Sequence, residues 1–305
     1  MGKINKYVVI GFKGFCMGIA DIIPGVSGGT IAFLMGIYEE LLESVYSFDV
    51  EFLKRLSRGQ VIQAFAHTGW KFLAVLLTGI LSAIFSFSYV LCWLLQNKPV
   101  YIHAFFFGLI LTTVYVIVQK IKKGDFAKIA VGLVSTVVMY NLVGMVPIQT
   151  PDTWWFLFLS GAVAICAMIL PGISGAFILL LLGKYEYVIT AVNERNFSVL
   201  ILVASGCVIG LLAFVRFLRW LLHRHYDLTL SVLAGLVLGS LRKVWPWKET
   251  LEAIVTPEGK LIPVNQINIL PDGFTTEVVL AALFLVVGIC LSICLARCDQ
   301  PKKIH

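Results

Sequence analysis

Long apolar stretches without a charged residue dominate the pattern along the chain. They cover residues 72–95, 101–119, 129–151, 153–183, 197–215, 228–241 and 278–296. A helix needs about 20 apolar residues to cross a bilayer core of roughly 30 Å. Most stretches have that length. The stretch 228–241 is shorter, so Arg242 and Lys243 must lie at the membrane interface to complete the span. The pattern therefore predicts an all-α polytopic membrane protein.

Two apolar segments are interrupted by a Pro-Gly sequence. The first break lies near 23–30 and the second near 170–176, within a stretch too long for one straight crossing. Proline removes a backbone donor and glycine weakens the helix, and backbone freed inside a bilayer must be satisfied by protein or by a wet cavity. Each break predicts a re-entrant helical hairpin. The break residues are Pro24, Gly25, Pro171 and Gly172.

The two breaks belong to an internal repeat. Aligning Pro24 with Pro171 superposes the surrounding segments, and aligning Gly79 with Gly206 extends the match further along the chain. We predict two repeats, each with a re-entrant hairpin and about three transmembrane helices. The predicted halves are residues 1–152, with an amphipathic insertion near 43–70, and residues 153–305, with an external loop near 245–276.

The distribution of positive charge predicts the topology. The chain has 24 Lys and Arg against 17 Asp and Glu. If each hairpin returns to the side from which it enters, most basic residues fall on one side, which the positive-inside rule makes cytoplasmic. Both termini are then cytoplasmic. Three crossings separate the hairpins, so they enter from opposite faces and form an inverted-topology repeat.

Each break opens a new helix whose first backbone N–H groups have no partner within the helix. These groups lie at the positive end of the helix dipole, where anionic oxygens bind. Tight packing of small residues at a kink is the alternative explanation. The predicted phosphate-binding residues of the breaks are Ser27, Gly28, Gly29 and Thr30 in the first, and Ser174 and Gly175 in the second.

Charged residues close to the breaks complete the predicted site. Arg216 and Arg219 are three positions apart on one helix face, and guanidinium groups suit a phosphate. Snorkelling of both side chains toward the cytoplasm is the alternative. Asp21, Glu39 and Glu186 are candidates for coupling transport to a proton or another cation, because carboxylates at membrane depth are costly and usually functional.

Composition narrows the choice of function. The chain is 59% hydrophobic and 13% charged, whereas soluble domains carry roughly 25% charged residues. This excludes a water-soluble enzyme, a secreted disulfide scaffold and a disordered chain. The sequence has no zinc pattern, phosphate-binding Walker loop or dinucleotide fingerprint. We expect no metal, no cofactor and no nucleic-acid partner, and we predict no particular oligomeric state.

The sequence resembles a known bacterial family at these two motifs. Residues 18–30 read GIADIIPGVSGGT, and residues 170–176 read LPGISGA. They resemble the PopT-type polyprenyl-phosphate transporters, formerly a membrane domain of unknown function, and the resemblance covers essentially the whole chain. It implies a flippase of the bacterial inner membrane that returns undecaprenyl phosphate from the outer to the inner leaflet. That lipid carries precursors of peptidoglycan and other envelope glycans.

Two other classes of protein remain as alternatives. Undecaprenyl pyrophosphate phosphatases of the BacA type resemble this architecture and carry re-entrant Pro-Gly-x-Ser segments. Their segment places an arginine after the serine, where this chain has Gly28 and Gly175. Hydrolysis needs charge neutralisation and an activated nucleophile, and neither break supplies both. A small-anion carrier or channel is the third candidate.

Overall fold

A computed structural model describes residues 3–122, 125–255, 261–271 and 273–298. The chain is mainly helical. The first half contains α1 (Lys3–Ile22), α2 (Gly28–Leu34), α3 (Tyr38–Tyr46), α4 (Val50–Ser57), α5 (Val61–Ala66), α6 (Trp70–Asn97), α7 (Pro99–Gln119) and α8 (Phe126–Leu142). The second half contains α9 (Trp154–Ile169), α10 (Gly175–Leu181), α11 (Tyr185–Asn193), α12 (Phe197–Arg224), α13 (Tyr226–Val244), β1 (Lys248–Val255), β2 (Leu261–Asn268) and α14 (Thr276–Cys298).

Apart from α4 and α5 in the first half and β1 and β2 in the second, the two halves have the same order and pairing of helices. Helix α1 packs on α6 as α9 packs on α12. Helix α7 packs on α14, the last helix of the other half, and α13 packs on α8 in the same way. Helices α7 and α13 also contact each other. Each half therefore packs one helix, α7 or α13, on the last helix of the other half, and these two helices also contact each other.

Matching glycines allow the paired helices to approach closely. Gly14 of α1 lies against the backbone carbonyl of Leu76 in α6, and Gly161 of α9 lies against that of Val203 in α12. A Cβ atom at either glycine would overlap the neighbouring carbonyl oxygen. Small residues at such positions let helix backbones pack together within a membrane. Close packing thus recurs at corresponding positions in the two halves.

The helices indicate a multi-pass membrane protein. Within the described ranges, α6, α7, α12 and α14 are long and apolar enough to cross a membrane. Helices α10 and α11 would add a fifth span if counted together, although they meet at 107°. Helices α8 and α9 are apolar but shorter, with 17 and 16 residues.

The prediction of an all-α fold is wrong in one region. Within the segment 245–276, which we expected to be a plain external loop, β1 and β2 form an antiparallel two-stranded ribbon. Its four prolines favoured a loop, but β-branched residues such as Thr250 and Ile267 favour strands. A two-stranded ribbon has two open edges, so it tolerates Pro263 in β2.

The segment near 43–70 contains two short helices rather than one. Helix α4 begins after Asp49, whose carboxylate accepts a hydrogen bond from the Phe52 amide at 2.9 Å. That hydrogen bond lowers the pKa of Asp49. Val50 and Leu53 of α4 and Ile62 of α5 are exposed. This part of the chain therefore presents apolar side chains outward.

The helices that follow the breaks differ in burial. All seven residues of α2 are buried, and α2 contacts α1, α7, α9 and α14. Its apolar side chains belong to the main hydrophobic core, which includes Phe33 and Leu34. In α10 only Gly175 and Ile178 are buried. The helix after the first break is therefore enclosed by the protein far more completely than the helix after the second.

Candidate functional site

The two breaks lie against each other. The Oγ1 atom of Thr30 accepts a hydrogen bond from the backbone amide of Gly172 at 2.8 Å. Gly29 leaves room for the same approach, because a Cβ atom there would lie 2.9 Å from the carbonyl oxygen of Ile169. Segments that are far apart in the sequence thus form a single polar contact inside the helix assembly.

Both breaks turn the chain in the same way. Gly25 and Gly172, each directly after a proline, have φ angles of +90°. This left-handed backbone conformation is open to glycine and costly for residues with a side chain. The Pro-Gly pairs therefore follow the ends of α1 and α9 with the same local backbone geometry.

The amides at the start of α2 already have partners. The carboxylate of Asp21 accepts a hydrogen bond from the Gly28 amide at 2.6 Å, and Ser27 Oγ accepts one from the Gly29 amide at 3.2 Å. The Thr30 amide donates to the Ser27 carbonyl at 2.9 Å. In this arrangement the carboxylate of Asp21 occupies the place where we expected an external anion.

The second break has a different chemistry. In the alignment of the two prolines, Met168 stands where the first break has Asp21. Ser174 precedes α10 without capping it, and Ala176 and Phe177 replace the second glycine and the threonine. Ser27 Oγ donates to the Met168 carbonyl at 3.5 Å. The second break therefore contacts the first without repeating its carboxylate.

An apolar cavity of about 160 Å³ opens beside the meeting point of the breaks. Asp21 and Gly29 contribute from the first break, and Met168 and Ile169 from the helix that leads into the second. The rest of its wall is apolar and comes from α1, α3, α6, α9 and α12. Those residues are Met17, Leu41, Leu42, Val45, Ile80, Ile165, Leu211 and Val215.

A larger, charged cleft of about 390 Å³ adjoins this cavity, and Leu42 lines both. It lies between the start of α3 and the junction of α12 with α13. Its lining residues are Glu39, Leu42, Glu43, Arg219, Leu222, His223 and Tyr226. Together the two spaces offer a polar entrance above an apolar interior.

The two predicted arginines differ in position. Arg219 lines the cleft, where its Nε donates to Glu43 Oε1 at 2.6 Å and its guanidinium carbon lies 4.1 Å from the centre of the Tyr46 ring. Arg216 donates through Nη1 to the Leu212 carbonyl of its own helix at 2.8 Å. Arg219 is therefore the arginine that reaches the cleft.

The predicted coupling carboxylates also separate. Asp21 lies at the first break, and Glu39 lies in the cleft, where its Oε1 accepts a hydrogen bond from the Tyr226 hydroxyl at 3.1 Å. Glu186 is exposed on α11 and lines neither space. Nearby, Lys184 is buried and pairs with Asp152, which anchors the turn before α11.

Sequence reasoning did not assign three polar residues of the cleft to the site, Glu43, His223 and Tyr226. Glu43 follows Glu39 by four positions on one helix face, so its spacing could have identified it. Tyr226 carries no sequence signal, because only the packing of α13 near α3 brings it to Glu39. Within the described parts of the chain, no group of three His, Cys, Asp or Glu side chains is close enough to hold a metal.

Comparison with known proteins agrees with the motif resemblance. A family model described as VCA0040-like, undecaprenyl phosphate translocase-like, matches residues 17–262. The chain belongs to this family. The resemblance inferred from the two Pro-Gly motifs is thereby confirmed. No solved structure matches the chain.

Two similar proteins carry the name of a transporter. The chain is 41% identical over 300 residues to the polyprenyl-phosphate transporter of Vibrio cholerae, a match that covers 94% of this chain and 97% of that protein. It is 32% identical over 252 residues to the polyprenyl-phosphate transporter of Staphylococcus aureus, which covers 77% and 84%. Both are named as transporters and not as enzymes, in agreement with the prediction of a non-enzymatic protein.

Proposed function

We propose that the protein carries undecaprenyl phosphate, or a similar polyprenyl phosphate, from the outer to the inner leaflet of the bacterial cytoplasmic membrane. The names of the two relatives support this class of substrate. The observation that carries the proposal is the contact between the two breaks beside an apolar cavity that adjoins a charged cleft. Such transport would return the lipid carrier for the synthesis of peptidoglycan and other envelope glycans.

The two adjoining spaces suit a lipid with a phosphate head. In the cleft, Arg219 exchanges its hydrogen bond to Glu43 for the phosphate beside His223, and the adjoining cavity offers apolar walls to the first isoprene units. The rest of the tail stays in the bilayer, because moving hydrocarbon from lipid into an apolar groove provides little driving force. Recognition therefore rests on the head and its nearest carbons.

Within the site, Arg219 receives the phosphate, and Arg216 adds positive charge from the same helix face. The phosphate then moves to the first break, where Ser27, Gly28, Gly29 and Thr30 provide donors. Ser174 and Gly175 border it from the second break. The Gly28 amide must first be released by Asp21, because two anions at one donor repel each other strongly in a medium of low dielectric constant.

This exchange makes Asp21 the best candidate for coupling transport to a proton. A protonated Asp21 carries no charge and can leave the Gly28 amide to the incoming phosphate. Glu39 is the second candidate, since it lies in the cleft and is hydrogen-bonded to Tyr226. The exposed position of Glu186 gives it the weakest case of the three.

We further propose that the two halves have inverted topology and that both termini are cytoplasmic. Between the two hairpins, beyond the short helices α4 and α5, lie three longer apolar helices, α6, α7 and α8. If each of these three crosses the membrane once, the two hairpins enter it from opposite faces. The matching order and pairing of helices support a rocking of one half against the other. Rocking would expose the shared contact of the breaks to each leaflet in turn.

The transport proposal can be tested in liposomes that contain the purified protein and a fluorescent polyprenyl phosphate whose leaflet can be read by quenching. We expect protein-dependent movement between leaflets, and Arg219→Ala should slow it about tenfold. Arg224→Ala is the matched control, because Arg224 is an exposed arginine of the same helix outside the cleft lining. Equal rates in the two variants would contradict the role of the cleft.

The same preparation separates the alternatives. Phosphate release from undecaprenyl pyrophosphate at a rate comparable with transport would instead favour a phosphatase. Ionic conductance in a bilayer without polyprenyl phosphate would favour a channel. Absence of both, together with movement of the labelled lipid, is the result expected from a transporter.

A further inference from the structure

A pair of half-buried lysines lies at the other end of α13 from the charged cleft. Tyr226 lines the cleft at the start of this helix, and Lys243 stands near its end. At 1.5 Å per residue these positions are about 25 Å apart, close to the thickness of a bilayer core. Lys248 follows directly in β1, and its ammonium group donates to the Lys243 carbonyl.

Lys243, the first lysine of this pair, contacts the segments of both breaks. A Cβ atom on Gly25 would lie 2.6 Å from Cγ of Lys243, so the side-chain stem of that lysine packs on the bare backbone of the first break. Its Nζ lies 5.0 Å from the centre of the Phe177 ring, which belongs to the helix after the second break. Lys243 therefore bridges the two hairpins on the side away from Arg219.

A histidine of α7 lies close to the lysine pair, and Trp245 stands between the two lysines in the chain. His103, in the first turn of α7, lies within electrostatic range of both ammonium groups. The indole of Trp245 packs 5.5 Å from the Phe107 ring and donates to the Ile269 carbonyl at 2.9 Å. These contacts hold Trp245 against α7 and the end of the β-ribbon.

Among the residues that the structure describes, no carboxylate lies within 4.0 Å of the Lys243 or Lys248 ammonium group. The adjacent Arg242 is turned away, with its Nη1 donating to the Tyr140 carbonyl at 2.9 Å. Burial, together with the charge of Lys243, lowers the pKa of Lys248 to about 7. A bound anion would relieve the repulsion between these groups.

We propose that Lys243 and Lys248, with His103 beside them, bind the phosphate monoester of the transported lipid at a second station opposite the Arg219 cleft. This inference rests on the proposed function, since a lipid that crosses the protein needs recognition at both ends. The ligand chemistry is a phosphate anion, whether it is presented as the monoester of a lipid headgroup or as free inorganic phosphate. The contact of Lys243 with Gly25 links occupancy of this station to the first break.

The test measures protection of Lys248 from reductive methylation, read by mass spectrometry on the full chain in phosphatidylcholine nanodiscs. A lysine with a pKa near 7 reacts readily at neutral pH, which makes Lys248 a sensitive reporter. We expect farnesyl phosphate to slow its methylation at least about fivefold and the uncharged alcohol farnesol to have no effect. Protection by farnesol to the same extent would overturn the proposal.

Variants identify the site. Lys243→Met should raise the half-protecting concentration of farnesyl phosphate about tenfold, because it removes one charged partner. Lys243→Arg should retain protection and serves as the second variant if the methionine variant does not fold. Lys98→Met, an exposed lysine at the junction of α6 and α7, should change nothing. Unchanged protection in Lys243→Met would overturn the proposal.

The two sources of phosphate give different results. Protection by farnesyl phosphate at much lower concentration than by inorganic phosphate supports a lipid headgroup, whereas equal concentrations support a site for free phosphate. The transport assay separates this inference from the proposed function. Lipid movement without protection of Lys248 would overturn the second station alone, and protection without movement would overturn the transport proposal alone.

Discussion

The two breaks share a backbone shape but differ in chemistry. Both turn at a glycine with φ of +90°. At the first, Asp21 and Ser27 hold the amides of a completely buried helix. At the second, Met168 takes the place of the carboxylate, and Ser174 leaves its helix uncapped. The same fold element therefore carries specific polar chemistry in one half and mainly packing in the other.

This difference shows how an internal repeat can specialise. The turn is encoded by Pro-Gly and is retained twice, because any other sequence would strain the left-handed position. The carboxylate is not required for the turn and occurs once. A site formed where the two breaks touch needs only one of them to carry the charge.

Replacing Gly29 and Ala176, which occupy matching positions, by a larger residue should distinguish the roles of the two breaks most clearly. Gly29→Val would place a branched side chain against the Ile169 carbonyl, which a Cβ atom alone approaches to 2.9 Å. We expect lipid movement in liposomes to fall more than tenfold, to about the protein-free rate, with a lower melting temperature. Ala176→Val, at the corresponding and exposed position, should stay within about twofold. Equal losses would remove the asymmetry.

Neutralising the carboxylate of the first break should change substrate binding. In Asp21→Asn the side-chain oxygen still accepts from the Gly28 amide, but the repulsion of the phosphate is lost. We expect farnesyl phosphate to bind about tenfold more tightly in calorimetry, and transport to lose its response to an imposed pH gradient. Glu186→Gln, on an exposed helix, is the control. An unaltered response in Asp21→Asn would exclude coupling at this residue.

Removing the hydrogen bond between the breaks should reduce stability. Thr30→Val keeps the shape but leaves the buried Gly172 amide without an acceptor, which costs about 1–3 kcal/mol of unfolding free energy. Thr30→Ser should recover most of the loss. Thr112→Val is a matched control, since Thr112 is buried and only donates to its own helix. Similar losses in both valine variants, measured by denaturant unfolding in detergent, would contradict a specific link.

Ser27 and Ser174, the serines of the two breaks, should differ only slightly in their contribution to the unfolding free energy. Ser27→Ala removes a cap from α2 and should cost about 1 kcal/mol of unfolding free energy. Ser174→Ala removes a side chain that caps nothing and should cost less than about 0.5 kcal/mol. The same unfolding measurement applies to both. A larger cost at Ser174 would indicate a role for this serine that its hydrogen bonding does not explain.

The sequence anticipated the helices and breaks better than the contacts. Uncharged stretches marked α6, α7, α12 and α14, because a span must be apolar over its whole length. The same reasoning overlooked the β-ribbon, whose prolines suggested a loop. It also treated Arg216 and Arg219 alike, although of these two arginines only Arg219 lines the cleft.

Two further contacts could not be predicted from spacing. We expect open amides at the start of α2, but Asp21, seven residues before Gly28 and across the break, accepts the hydrogen bond of the Gly28 amide. Lys243 was interpreted as an interface residue, whereas its stem packs on Gly25. Each contact depends on the direction of a side chain, which sequence periodicity does not specify.

What the sequence alone determined is local: where helices can form, where Pro-Gly ends them, and that this happens twice. Apolar length, proline and glycine act through the backbone of a few neighbouring residues, so they can be read in order along the chain. The tertiary structure decided which break meets which side chain, because Thr30 and Gly172, or Gly25 and Lys243, become neighbours only when distant helices pack. Packing selects those pairs by shape and hydrogen bonding in three dimensions.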